Sequence, residues 1–493
     1  MRQMQDSSRN SARIQSSYRA GGHGTSVAAN VAAGRNTKVK QRFQPTVDDI
    51  SRALRDRPYL LAQICAVRDD ATLDKGQRLT EIGKIISECE APIPVSDFDR
   101  MQSEYKPSKE RMAGRRTAAG SYSAYLKATG LNKPTPAPTE PASPLFQEHG
   151  GEELGMMLQY VDLIDARYLI MLHEANGNLP CWGAIPASAK INKANMWRLT
   201  GWQARGCLGV VALSYPWLDL AHPDANGETL ARIVPVLRCM LPLCGGDQFT
   251  IGVLIDYASL PQPTRTHAEL TRFKLGMRAL TMWYAHPYVP VLLVTGDLPQ
   301  DEGYTNCTRK VEERGWCDYE RRLACLCKSR SCLWGVVGLV PMELAKLDDD
   351  RRRFDLIRSQ LMAAAKPDPP LSPSSFAIMM QKKVKDGRLS FSNKADQKTV
   401  IDMYAAGFIK IFEVYQRLDP VHGVLSTYSG HRWEEEQARQ LAACLEFAAQ
   451  KCKLQATSGP VAIDCQGNAF NDHSRRLVKQ AIQFGKIFAG VKF

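Results

Sequence analysis

The sequence predicts an α/β fold: an open, mostly parallel sheet covered on both faces, with helical regions before and after it. Three observations predict this. Between residues 209 and 340, short apolar runs alternate with amphipathic helical segments. The runs are apolar on both faces, the mark of strands buried from two sides. Polar and aromatic residues collect just past the carboxyl ends of the runs, the edge at which open α/β sheets bind ligands.

The elements follow in chain order. The chain has 493 residues, 44% of them apolar, enough for two to three domains and too apolar for disorder throughout. Its net charge is +13, yet residues 1–45 hold eight basic residues against the single acid Asp6, so +7 of that charge belongs to the tail. This Arg-, Ser- and Gly-rich stretch lacks apolar periodicity and is expected to be disordered. It has no continuous apolar segment of the secretory kind. An Arg- and Ser-rich, acid-poor start also fits an organelle transit peptide, which leaves targeting open beside a cytoplasmic placement. With the charge confined to a tail and no basic face interleaved with aromatics, a nucleic-acid partner is not expected.

Residues 46–128 read as a small helical region, with apolar stripes on Ile50, Leu54, Leu61, Ile64 and Val67 and on Leu79, Ile82, Ile85 and Ile86. Pro134, Pro136, Pro138, Pro141 and Pro144 mark a stiff linker over 129–150. The α/β domain then spans 151–340. Residues 168–172 read as a strand entering a hairpin at Asn176-Gly177. Strands are expected at 209–215, 249–256, 288–294 and 333–340, and helices at 227–240, 267–284 and 316–327. Residues 341–493 read as mainly helical, with helices over 341–365, 395–417 and 433–450. Residues 461–465, with Asn468 and a helix through Leu477, resemble one leucine-rich repeat unit, which alone forms no solenoid.

No run approaches the roughly 20 apolar residues that span a bilayer, so no integral membrane segment is expected. The 14 cysteines are scattered, as in a reducing compartment. Cys317, Cys325, Cys327 and Cys332 lack the paired knuckle spacing of zinc sites, and no metal is expected. There is no phosphate-binding P-loop, no dinucleotide glycine motif after a strand and no nucleophile elbow.

Three boxes carry the candidate chemistry. Ser214-Tyr215-Pro216-Trp217 follows the first strand of the alternation. Asp256-Tyr257-Ala258-Ser259-Leu260-Pro261-Gln262 follows the second. Arg314-Gly315-Trp316-Cys317-Asp318-Tyr319-Glu320 opens a helix. In this order the boxes resemble the heterokaryon-incompatibility (HET) domain, and Trp316-Cys317 with Glu320 also resembles the W-C-x-x-E helix of TIR domains. The resemblance covers about residues 160–340. Tyr319 and Leu218 stand where HET domains often carry Gln and Gly.

The resemblance implies a flavodoxin-like sheet and a signalling or immunity module that binds a nucleotide. Some TIR domains cleave the nicotinamide–ribose bond of NAD with the helix glutamate, which maps onto Glu320. NAD would be the substrate, and no cofactor would be required. The bond breaks through an oxocarbenium-like state and the pyridine leaves neutral, so one carboxylate facing the ribose can suffice. Tyr215 or Trp217 would stack on a ring, backbone N–H groups near Ser214 would meet phosphate, and Asp256 would bind ligand. Against these stand plainer roles. Glu320 would be a solvated helix carboxylate beside Arg321 and Arg322, Asp256 a loop cap, Trp316 a core anchor and Cys317 a buried filler. The alternative function is a non-catalytic scaffold that self-associates through the α/β domain.

Overall fold

The structure, a computed structural model, describes residues 97–132, 144–202, 207–296, 309–337, 349–415, 424–452, 461–484 and 488–493, with scattered positions between 67 and 84. The expected basic tail, most of the 46–90 helical pair and residues 133–143 of the expected linker lie outside the described residues, while Pro144–Glu148 of that linker is a short helix. The chain divides into two compact units, one of Met1–Ser96 with Thr264–Arg272, the other of Asp97–Pro263 with Phe273–Phe493. In the first, Asp74 accepts from the N–H groups of Gly76 and Gln77, and Thr266 and Glu269 cap each other's backbone at the start of helix His267–Ala285. All that follows concerns the second unit.

Its sheet runs β2 (Lys190–Ile191), β1 (Leu163–Asp165), β4 (Gly252–Leu254), β3 (Val210–Ser214), β5 (Val291–Val294), β6 (Leu333–Val336). The four strands from β4 to β6 are parallel, and β1 joins β4 and β2 antiparallel. The alternation of side chains sorts the strands into two cores. Val210, Ala212, Val291 and Leu293 pack on one face, and Val211, Leu213, Leu292 and Val294 on the other. Since both faces are covered, the strands are apolar throughout, the pattern read from the sequence. The connection order reverses at β3, from which the chain goes first to β4 on one side and then to β5 on the other.

Residues 168–172, expected as a strand, lie in the helix Ala166–Glu174. Asp165 caps it by accepting from Arg167 N, and Tyr168, Leu169 and Leu172 fall on one buried face. A five-residue apolar run fits either period, and the cap decides it. Helix Lys109–Ala128 lies against this one, so closely that a Cβ on Gly114 would come within 2.4 Å of Ala175 O.

Beyond β6, helices Asp350–Ala364, Pro373–Lys385 and Asp396–Tyr415 precede a second sheet. Its strands β7 (Val424–Thr427), β8 (Val461–Asp464) and β9 (Phe488–Lys492) are parallel and adjacent in chain order, linked by helices Glu435–Lys451 and Asp472–Ala481. The sequence reading anticipates mainly helix here. β7 offers only four residues with two hydroxyls, a weak strand signal, and is held by its parallel pairing to β8. Asn468 secures the turn after β8, with its amide donating to Tyr428 O and Cys465 O at 2.6 and 3.0 Å.

Among the described residues no helix is long and apolar enough to cross a membrane.

Candidate functional site

The site forms where β3 ends. Ser214, its last residue, continues the alternation onto the face covered by helices His267–Ala285 and Gly315–Ala324, while Tyr215 turns the other way. Pro216 then carries the chain into the loop that bears Trp217. Asp256 follows β4 and starts the short helix Asp256–Ser259. Glu320 sits in the second turn of Gly315–Ala324, a helix whose buried residues include Cys317, Tyr319, Glu320 and Leu323. Three segments far apart in sequence thus meet at one end of neighbouring parallel strands.

Asp256 is the hub of the first half. Its Oδ1 accepts from Tyr215 Oη at 2.8 Å and from Tyr257 N at 2.6 Å, and its Oδ2 accepts from Trp217 Nε1 at 3.2 Å. Arg314 donates to Trp217 O at 2.7 Å and fixes the loop from the far side. The Trp217 ring meets Tyr257 edge-on at 5.6 Å. Asp256 is thus a loop cap and something more: a carboxylate pinned by two aromatic side chains and left partly exposed.

Glu320 is the second half. It is 8% exposed, so the solvated-carboxylate expectation is corrected. Arg321 and Arg322 turn away from it, to Asp318 and to Asp368. Ser214 and Tyr284 hydrogen-bond to Glu320 instead. Burial and the nearby Asp256 charge push Glu320 up to about 8, more than the two hydrogen bonds pull it back. Asp256 is raised too, by its own burial. The Tyr284 hydroxyl also donates to Leu213 O, at 2.7 Å.

The remaining residues of the third box do structural work. Trp316 is half-buried and donates through Nε1 to Asp396 Oδ2 at 2.9 Å, tying two helices together. Tyr319 is buried, with its hydroxyl 2.9 Å from that of Thr281. Cys317 packs with Leu218 and Val311 and lies 3.5 Å from Tyr215 O. Burial pushes its thiol well up, as befits a filler. Among the described residues no group of three or more His, Cys, Asp or Glu is placed to hold a metal ion.

Sequence reasoning missed Tyr284 and His222. Tyr284 reads only as the last apolar position of a helix stripe, and nothing local announces that its hydroxyl reaches the end of β3. The His222 ring lies tilted against Tyr105 and edge-on to Tyr257, with centroids 4.4 and 5.0 Å apart. Burial lowers it to about 3, so it is a neutral ring in this wall.

Compared with protein-family models, with curated proteins and with solved structures, the chain matches none.

Proposed function

We propose that residues 151–340 form a HET/TIR-like domain on a flavodoxin-like sheet, and that its β3 edge binds NAD and hydrolyses it to nicotinamide and ADP-ribose. The observation that carries this is the meeting of Asp256 and Glu320 at the carboxyl end of β3, where the strand order reverses. That is where doubly wound sheets bind ligands, and the parallel strands here run second-first-third-fourth, the flavodoxin-like order.

The chemistry follows from charge. Among the described residues, none of the groups that shift either carboxylate is a cation. The nicotinamide ring of NAD is a cation, and its arrival beside Asp256 favours loss of the Glu320 proton. The glycosidic C–N bond breaks and its electron pair leaves with neutral nicotinamide. Positive charge develops on the ribose, and ionised Glu320 stabilises it. Water adds to the ribose carbon and releases one proton. Trp217, partly exposed and held by Asp256 and Arg314, offers a ring face for stacking.

The test is nicotinamide release from NAD by the purified full chain, wild type against Glu320→Gln and Glu320→Ala. Release by wild type and its loss in both variants supports hydrolysis. No release by concentrated wild type removes it.

A second reading rests on the same burial. Asp256 and Glu320 are satisfied by their own neighbours, so the network can act as a polar lock that seats helix Gly315–Ala324 on the sheet of a non-catalytic, self-associating scaffold. In that case both variants would lose stability or assembly, with no NAD turnover to lose.

A further inference from the structure

The opposite edge of the sheet carries a different arrangement. Cys207 lies just before β3, and Cys332 just before β6. β5 separates these strands, yet the two sulfurs are 3.2 Å apart. A disulfide needs about 2.05 Å, so about 1 Å of closure would join them. Both residues are 1% exposed.

The surroundings differ for the two sulfurs. Lys328 is buried beside them, its ammonium held by Val289 O at 2.6 Å and by His286 O. Arg358 donates to Ser331 O at 3.2 Å, and Ser331 Oγ is 3.8 Å from Cys332 Sγ. The hydrogen bond with Cys207, the Lys328 ammonium, the Ser331 hydroxyl and Arg358 draw Cys332 below the usual thiol range despite its burial. Cys207 is held well above the usual thiol range by its hydrogen bond to Cys332 and by burial. The two sulfurs thus share one hydrogen bond, beside a buried ammonium that favours a thiolate on Cys332.

We propose that Cys207 and Cys332 form a peroxide-responsive dithiol whose oxidation staples β3 to β6 across β5. The Cys332 thiolate attacks one oxygen of hydrogen peroxide; the O–O bond breaks, and the leaving hydroxide is protonated to water. Cys332 is then a sulfenic acid. Cys207 sulfur attacks it, the S–O bond breaks, and the hydroxyl leaves as water with the Cys207 proton. Two thiols are oxidised to one disulfide and one peroxide is reduced to two waters. The bridge closes a loop of 125 residues that contains Ser214, Tyr215, Trp217, Asp256 and Glu320. Redox state would therefore set the rigidity of the segment that carries the candidate site, from the sheet edge opposite to it.

The experiment treats the native full chain with hydrogen peroxide, alkylates remaining thiols, and maps linked peptides without reduction. The expected product joins Cys207 to Cys332, forms ahead of modification at the more exposed Cys181, and is reversed by dithiothreitol. In Cys207→Ser the reaction should stop at a Cys332 sulfenic acid that dimedone traps. The oxidised wild type should melt several degrees higher. The proposal is overturned if Cys181 is modified while Cys207 and Cys332 stay as thiols, or if Cys332 proceeds to sulfinic acid without linking. An unchanged or lower melting temperature of linked protein would overturn the stapling role. The wild-type map needs no variant, so it decides the matter even if Cys207→Ser fails to fold.

Discussion

Two buried carboxylate sites on the same sheet are built in opposite ways. Asp165, at the end of β1, is fully buried and accepts from Arg198 Nη2 and Tyr122 Oη at 2.7 Å, Thr250 Oγ1 at 2.6 Å and Arg167 N at 2.9 Å. Its charge is matched by a guanidinium, and its hydrogen bonds tie helix Lys109–Ala128, the cap of helix Ala166–Glu174 and the entry to β4 to one point. Glu320 and Asp256 have, among the described residues, hydroxyls, an indole, a backbone N–H and each other. A matched buried charge organises a fold. Two like charges held together without a cation disfavour their own ionisation, and such pairs concentrate at functional sites. The contrast directs the functional reading to the β3 edge rather than to the better-bonded Asp165.

The largest expected effect breaks the matched site. Asp165→Ala should cost about 3–5 kcal/mol in urea unfolding, since it strands the buried Arg198. A loss below about 1 kcal/mol would show that Arg198 finds another partner, and would end the contrast.

The next sharpens the unmatched site. Folded Glu320 keeps its proton up to about pH 8, while the unfolded carboxyl loses it near 4.5. Folding therefore takes up a proton between these values. The contribution to stability is whole below about pH 4.5 and is lost as pH rises through 8, by about 1.4 kcal/mol per unit. Glu320→Gln, which keeps an uncharged hydrogen-bonding group there, should flatten the fall. Its melting temperature relative to wild type should rise steadily from pH 5 to 8. A difference independent of pH would mean that Glu320 is ionised in the folded protein.

Smaller effects should follow at the hub. Tyr215→Phe removes one donor to half-buried Asp256 and should cost about 1 kcal/mol, read by thermal unfolding. Trp217→Ala removes a half-buried ring and the other side-chain donor to Asp256; it should weaken NAD binding, followed by calorimetry. An unchanged affinity would take Trp217 out of the ligand site.

Much of the sheet was legible because buried parallel strands are written as continuous apolar runs: 209–215 contains β3 and 288–294 contains β5. What escaped was set by partners distant in sequence. β1 and β2 have three and two residues and exist through their pairing with β4 and with each other. The run 168–172 needed the Asp165 cap to choose helix. At the site, Ser214, Tyr215, Trp217, Asp256 and Glu320 could be named from three boxes, and the structure brings all five together. Tyr284 and the burial of Glu320 could not be read, because both depend on how helices His267–Ala285 and Gly315–Ala324 lie on the sheet. Arg321 and Arg322, adjacent in sequence to Glu320, suggested a solvated carboxylate and instead serve Asp318 and Asp368.

The pH dependence of kcat/KM for nicotinamide release from NAD tests the central claim most directly, because it reports ionisation in the free protein. With Glu320 as the working carboxylate, kcat/KM should climb about tenfold per pH unit below 8 and level off above it, and Glu320→Gln should stay at background throughout. A flat profile, equal release by Glu320→Gln, or no release from the wild type at any pH would contradict it.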